Sequence, residues 1–112
     1  MEYTYKQLDD YSTKLAIHLQ TEYEVTKDDR IGMMLDHSLW SMVSILGILK
    51  SGGAYVPIEK SYPNDRKLYM IADTEMKGLI ISSEDLNEVV ELELDLPLFA
   101  IDVQLELSLI HI

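Results

Sequence analysis

The sequence contains no cysteine, and it has only one tryptophan and one phenylalanine. Without cysteine the chain has no disulfide bond, no thiolate zinc site and no cysteine nucleophile. No apolar run approaches the roughly 20 residues that span a bilayer, and residues 1–6 lack the basic and apolar segments of a secretory signal. These absences predict a cytoplasmic protein that does not associate with membranes.

Basic residues are missing from the C-terminal part of the chain. Residues 78–112 carry 8 acidic residues and no Lys or Arg, whereas residues 1–77 carry 12 acidic and 9 basic residues, and the net charge is −11. A surface of this sign repels nucleic acid phosphates, so we expect no nucleic acid partner. An acidic segment of this kind is most often a solvated face.

The length of the chain suits a single domain. Four of its segments have the features of helices. Apolar residues at helical spacing predict a first helix over residues 5–21 and a second between Ser38 and Gly52. The second helix is apolar nearly all round, so we expect it to be buried. A third helix is predicted from Pro63 to Thr74. Its expected inner face consists of Leu68, Ile71 and Ala72.

Short apolar runs between these segments predict strands, and the first run suits a strand that is buried on both faces. The runs are residues 30–35, 54–58, 78–82 and 97–101, and a short fourth helix is expected after residues 83–85. Such alternation predicts an α/β fold, with a parallel sheet, right-handed crossovers and helices packed on its faces. Apolar and acidic residues also alternate over residues 90–96 and 103–109, where further strands are an alternative.

Residue types that form active sites are present, but not at the spacing that known sites require. Lys50 precedes the Gly52-Gly53 pair instead of following it, so no phosphate-binding P-loop is encoded, and a dinucleotide fingerprint is also absent. No nucleophile elbow or catalytic triad is recognisable. The histidines are too far apart for a helical metal pair. They are His18, His37 and His111. We therefore predict no catalytic, cofactor-binding or metal-ligating residue in this chain.

One tripeptide, Asp36-His37-Ser38, has two interpretations. It follows the C-terminal end of the first predicted strand, and ligands in open parallel sheets bind beyond the strand C-termini. Asp and Ser are also the residues preferred at the start of a helix. Helix capping is the favoured interpretation, and ligand binding is the alternative.

Two stretches of the sequence carry a resemblance to a known family. Residues 3–8 read Tyr-Thr-Tyr-Lys-Gln-Leu, and residues 49–58 read Leu-Lys-Ser-Gly-Gly-Ala-Tyr-Val-Pro-Ile. They are similar to the first two core motifs of nonribosomal peptide synthetase adenylation domains, Leu-Thr-Tyr-X-Glu-Leu and Leu-Lys-Ala-Gly-X-Ala-Tyr-Val-Pro-Leu/Ile-Asp. Gln7 stands where Glu is usual, and Ser51 replaces Ala. These domains belong to the adenylate-forming superfamily, with acyl-CoA synthetases and luciferases.

The resemblance continues beyond the second motif, with one departure. Ser61-Tyr62-Pro63 and Arg66 follow the family pattern, whereas Glu59-Lys60 stands where Asp-Pro is usual. On this basis residues 1–103 are interpreted as the N-terminal portion of an incomplete AMP-binding domain, within the large N-terminal subdomain of an adenylate-forming enzyme. Residues 104–112 are interpreted as an atypical tail, because residues 108–112 resemble a translated sequencing adapter.

What the resemblance implies is a ligase that activates an amino acid as its adenylate. The parent enzyme would use ATP and Mg²⁺ and transfer the amino acid to phosphopantetheine on a carrier domain. Its partners would be the remainder of the adenylation domain, condensation and carrier domains and the amino acid substrate. The family's phosphate loop, substrate pocket, ribose-binding Asp and catalytic Lys match no position here, so we expect the chain alone to be inactive.

Two alternatives remain open at this point. The first motif is shared broadly in the superfamily, so a fragment of an acyl-CoA or aryl-acid ligase is the nearer alternative. The other is a small acidic interaction module that would use the possible strands over residues 90–109 to pair with a partner protein.

Overall fold

A parallel sheet lies between two layers of helices in the computed structural model, which describes residues 4–36 and 38–104. The strands are β1 (Arg30–Met34), β2 (Ala54–Pro57), β3 (Gly78–Ile81) and β4 (Leu98–Ala100), in the order β2-β1-β3-β4. The helices are α1 (Tyr5–Glu22), α2 (Leu39–Lys50), α3 (Asn64–Thr74) and α4 (Leu86–Val90), and a short 3₁₀ helix spans Ser83–Asp85. The predicted α/β fold and parallel sheet are confirmed.

The two faces of the sheet bury separate apolar cores. Side chains of α1 and α2 pack on one face, against Ile31, Met33, Ile80 and Phe99. Side chains of α3 and α4 pack on the other face, against Met34, Leu79 and Ile81. This placement is what right-handed crossovers require, because the chain moves one way from β1 to β2 and the opposite way from β2 to β4.

Helix α1 begins at a capping box formed by residues of the first motif. The Gln7 N–H donates to Thr4 Oγ1 at 3.1 Å, and the Thr4 N–H donates to Gln7 Oε1 at 2.9 Å. The two bonds satisfy N–H groups that have no partner within the helix. Gln7, the departure from the family motif, therefore performs the capping function that Glu also performs.

One side of helix α2 packs against α1, through Gly47 and Trp40, and the expectation that the helix is buried on all sides is wrong. Its buried residues are Ser41, Val43, Ser44, Gly47 and Ile48. The opposite side carries Met42 and Leu49, which are 54% and 53% exposed. Gly47 allows Leu15 of α1 to approach α2 closely, and Met42 and Leu49 lie on the side that α1 does not cover.

The inner face of α3 also differs from the expected one. Leu68 is 40% exposed and Ala72 is exposed, whereas Lys67 is buried. Lys67, Met70, Ile71 and Thr74 share the inward side, a regular helical stripe. Lysine is polar in a hydrophobicity pattern, but the aliphatic stem of Lys67 covers apolar surface, so the pattern does not show this face.

The alternating segment over residues 90–96 is not a strand. Val90 ends α4, and the Leu92 and Glu93 N–H groups donate to the Val89 and Val90 carbonyls in turns. Glu93 has a φ of 53°, which is incompatible with an extended strand. Residues 103–104 are helical, and residues 105–109 lie outside the described part of the chain. Among residues 4–36 and 38–104, no helix combines the length and apolar character needed to cross a bilayer.

Candidate functional site

The carboxyl ends of the strands bring polar side chains together at one edge of the sheet. Asp36 follows β1, Lys60 follows β2, and Glu84 and Asp85 follow β3. The strand order reverses between β1 and β3, which is where open parallel sheets form their ligand crevices. This edge is therefore the candidate site.

Lys60 is the centre of this cluster. Its Nζ lies 2.7 Å from Asp85 Oδ2, 3.0 Å from Asp36 Oδ2 and 3.5 Å from Glu84 Oε1. Contact with Asp85 is the largest cause of a raised Lys60 pKa, with Asp36 adding to it and burial opposing it. The ammonium group therefore stays protonated, so it suits a bridge between three loops and not a proton acceptor.

The three carboxylates differ in their exposure to water. The side chain of Asp85 is 16% exposed, whereas those of Asp36 and Glu84 are 74% and 70% exposed. No described donor makes a well-angled hydrogen bond to Asp85 Oδ2. The negative charge of Asp85 is therefore balanced by the positive charge of Lys60. A buried carboxylate without a counter-charge is costly, which makes Asp85 the partner that matters most.

Replacing Lys60 tests this ranking. We expect Lys60→Met to lower the free energy of unfolding by about 2 kcal/mol, because the Asp85 carboxylate loses its counter-charge. The matched controls Asp36→Asn and Glu84→Gln should each change it by less than about 0.5 kcal/mol, since exposed pairs contribute little. Urea denaturation followed by circular dichroism measures all three. Equal losses from Lys60→Met and Asp36→Asn would contradict the ranking.

A second pair joins the loops after β3 and β4. The Ser83 N–H donates to Asp102 Oδ1 at 2.9 Å, and the Ser83 hydroxyl donates to Asp102 Oδ2 at 2.7 Å. Burial raises the pKa of Asp102, but these hydrogen bonds and those from the Asp102 and Val103 N–H groups outweigh it, so the pKa is lowered. All four strand ends are thus connected by polar contacts.

A cleft of about 330 Å³ opens beside Lys60, between α2 and β2. Its lining residues are Met33, Leu35, Asp36, Ser41, Ile45, Tyr55, Pro57, Ile58, Glu59, Lys60 and Ser61. The cleft is mixed in character, with apolar side chains along α2 and β2 and charged ones at the strand ends.

Within the tripeptide Asp36-His37-Ser38, one residue caps a helix and another faces the candidate site. Ser38 is the N-cap residue of α2, and its N–H donates to the Ser41 hydroxyl at 3.1 Å. Asp36 instead faces the cleft and pairs with Lys60. His37 lies outside the described residues.

The Gly52-Gly53 turn closes α2, where the sequence predicts that this helix ends. The Gly52 and Gly53 N–H groups donate to the Leu49 and Ile48 carbonyls, each at 3.1 Å. Gly52 has a φ of +93°, which favours glycine at the end of a helix. The donors that could have cradled a phosphate are therefore used within the helix end.

Lys50, next to this turn, binds α1. Its Nζ lies 2.6 Å from Asp9 Oδ1, 2.8 Å from Ser12 Oγ and 3.0 Å from Thr13 Oγ1. The side chain therefore fixes the end of α2 against α1 and does not point towards the candidate site.

Of the three histidines in the sequence, His18 is the one that lies in the described part of the chain. Its ring centroid lies 4.7 Å from that of Phe99 and 5.4 Å from that of Tyr23. Burial lowers its pKa, although Glu22 opposes the shift. His18 is a packing residue. The described residues also contain no group of three His, Cys, Asp or Glu side chains that could hold a metal ion.

Lys60 and Asp85 were missed as site residues in the sequence. Both follow predicted strands, as Asp36 does, so their position after strand ends was the available signal. Their pairing could not be read from spacing, because it depends on which strands are neighbours.

Comparison with known proteins agrees with the two motifs. The chain matches the family described as AMP-binding enzyme over residues 1–107. Syringomycin synthase SyrB1 of Pseudomonas syringae pv. syringae is 42% identical over 86 residues, which are 77% of this chain and 14% of that protein. Bacitracin synthase 3 of Bacillus licheniformis is 43% identical over 77 residues, 69% of this chain and 1% of that protein. The chain thus spans a small part of these relatives.

Solved structures contain the same arrangement. A four-domain nonribosomal peptide synthetase, bound to AMP and glycine, aligns with a TM-score of 0.79 and 30% identity over 90% of this chain and 7% of that one. VinN aligns with a TM-score of 0.84 and 22% identity over 97% of this chain and 29% of VinN, which shows the fold alone. The resemblance to nonribosomal peptide synthetases is confirmed, and the chain belongs to the AMP-binding enzyme family.

Proposed function

We propose that this chain is the N-terminal portion of an amino-acid-activating adenylation domain of nonribosomal peptide biosynthesis. The parent enzyme joins an amino acid to AMP, using ATP and Mg²⁺, and passes it to phosphopantetheine on a carrier domain in the cytoplasm. The observation that carries the proposal is 41% to 43% identity to peptide synthases across the region of the second motif.

The second motif has a structural role that fits this proposal. Lys50 fixes α2 to α1, Gly52 closes α2, and Ala54–Pro57 form strand β2 beside β1. Each motif position thus helps to set β2 and the loop that carries Lys60. We infer that the motif holds the carboxyl edge of the sheet in place and does not contact a nucleotide.

The described residues do not fit ATP and Mg²⁺. The glycine N–H groups are bonded within the helix end, and the Lys60 charge is matched by three carboxylates. No described group of acidic and histidine residues has the geometry of a metal site. We therefore assign nucleotide and metal binding to other parts of the parent enzyme, and we propose that this chain alone forms no adenylate.

A fragment of an acyl-CoA or aryl-acid ligase is the alternative in the same superfamily. A fatty acid AMP ligase from Legionella pneumophila has the same fold, with a TM-score of 0.78, but it is only 22% identical to this chain. The higher identity to syringomycin and bacitracin synthases favours the peptide synthetase. The acidic interaction module loses support because residues 91–93 form turns and no strand.

A graft tests the proposal. This chain replaces the aligned segment of the four-domain synthetase, and glycine-dependent exchange of pyrophosphate into ATP is measured. We expect exchange by the graft and none by the 112-residue chain alone. A matched graft of the corresponding fatty acid AMP ligase segment should support less exchange. A folded graft without exchange would contradict the proposed function, and exchange by the chain alone would contradict its inactivity.

A further inference from the structure

Helix α2 carries a continuous apolar stripe on the side that faces away from α1. Met42, Ile45, Leu46 and Leu49 are spaced at i, i+3, i+4 and i+7, and we call them the outer face of α2. Met42 and Leu49 are 54% and 53% exposed, and Ile45 and Leu46 are half-buried. Exposed apolar patches of this kind mark interaction sites.

The packing of α2 explains why this stripe needs a partner. Gly47 lies against Leu15 of α1, and the ring of Trp40 contacts that of Tyr11, so this side of the helix is covered within the chain. The large apolar side chains lie on the other side, where water meets them. A helix with apolar residues all round is ordinarily covered on both sides, and only one side is covered by the described residues.

The surface beside the outer face is also open. Tyr55 of β2 is 41% exposed, and it lines the same cleft as Ile45. Strand β2 is the last strand on its side of the described sheet. The outer face and the β2 edge therefore form one surface, which contains no acidic residue in α2 or β2.

We propose that the outer face of α2 is the surface on which the remainder of the parent polypeptide packs, through an apolar layer of its own. This inference rests on the proposed function. Two observations favour this occupant. VinN has the same fold within a chain of which this one covers 29%, so the fold occurs together with much additional polypeptide. A second copy is disfavoured, because each chain has a net charge of −11.

Thiol labelling provides a direct test, because the chain has no cysteine. Leu49→Cys is made in the chain alone and in the four-domain graft, and labelling of that peptide is followed by mass spectrometry. The control is Val90→Cys, since Val90 is 56% exposed and lies on the opposite layer, in α4. We expect the Leu49→Cys thiol to be labelled at least about tenfold more slowly in the graft, as for a site that opens only by local unfolding, and Val90→Cys equally in both.

A charge variant gives a second readout that does not depend on labelling. Met42→Glu with Leu49→Glu should strongly reduce the soluble yield of the graft but leave that of the chain alone unchanged or improved. Val90→Glu should affect neither. The inference would be overturned if the graft kept its soluble yield with both substitutions, or if the graft without them failed to fold. The inference would also be overturned if the Leu49→Cys thiol were labelled slowly in the chain alone and rapidly after dilution. That result would identify a second copy as the occupant.

The two proposals fail in different ways. A graft with slow Leu49→Cys labelling but no pyrophosphate exchange would retain the interface and contradict the proposed function. A graft with pyrophosphate exchange and rapid Leu49→Cys labelling would support the proposed function and contradict the interface.

Discussion

Gly47→Val is expected to lower the free energy of unfolding by about 3 kcal/mol, at the upper end of the cost of overpacking a core. A Cβ atom on Gly47 would lie 2.6 Å from Leu15 Cδ2, 2.9 Å from Cγ and 3.0 Å from Cβ. The last two atoms are close to the α1 backbone, so Leu15 cannot simply rotate away. The helices must separate, which also disturbs the Lys50 contacts with α1.

A double-mutant cycle separates this steric effect from a general loss of helix stability. Leu15→Ala alone should cost about 2 to 5 kcal/mol by leaving a cavity. Combined with Gly47→Val, it should cost clearly less than the sum, because the valine fills part of that cavity. Urea denaturation of the three variants measures the coupling. A change of less than about 0.5 kcal/mol for Gly47→Val, or full additivity, would contradict the close contact.

The fold was predictable because buried parallel strands and surface helices leave different patterns. Ile31–Met34 and Leu79–Ile81 are buried on both faces and read as continuous apolar runs. The helix at residues 5–22 has apolar residues at the helical spacing of a surface helix, and Gly52 ends α2 through its positive φ. These signals are local, so one sequence is sufficient to read them.

The direction in which each helix faces was less predictable, since it depends on the neighbouring element. In α2 the apolar stripe was visible, but periodicity alone cannot say that Gly47 contacts α1 while Leu49 faces outwards. In α3 the buried stem of Lys67 changed the inner face. A helix can bury its smaller side when close approach is favoured, and hydrophobicity does not encode that choice.

The candidate site could be predicted only in part, for a topological reason. Asp36 was recognised because it follows a strand. Its partner Lys60 is 24 residues away in the sequence, and Asp85 is on a third loop. They meet because β1 lies between β2 and β3. Without the strand order, no spacing rule brings these three side chains together.

Phe99→Ala is expected to lower the free energy of unfolding by about 4 kcal/mol, the typical cost of removing a buried aromatic ring. Phe99 is the only phenylalanine and is 2% exposed, and its ring lies 4.7 Å from that of His18 in α1. It also pairs with Ile80 in the sheet, within a strand of three residues. The ring is therefore a large part of what fixes β4 to the rest of the domain.

Hydrogen exchange shows whether the loss is local to β4. In Phe99→Ala, exchange of the Leu79 amide, which donates to the Pro97 carbonyl, should accelerate more than that of Ala54, which donates to the Asp29 carbonyl at the other edge of the sheet. Phe99→Leu should cost only about 1 kcal/mol, and Val103→Ala less than about 0.5 kcal/mol, since Val103 is 44% exposed. If Phe99→Ala were no worse than Phe99→Leu, the His18 contact would not anchor β4, and the Ser83–Asp102 pair at the strand ends would have to hold it instead.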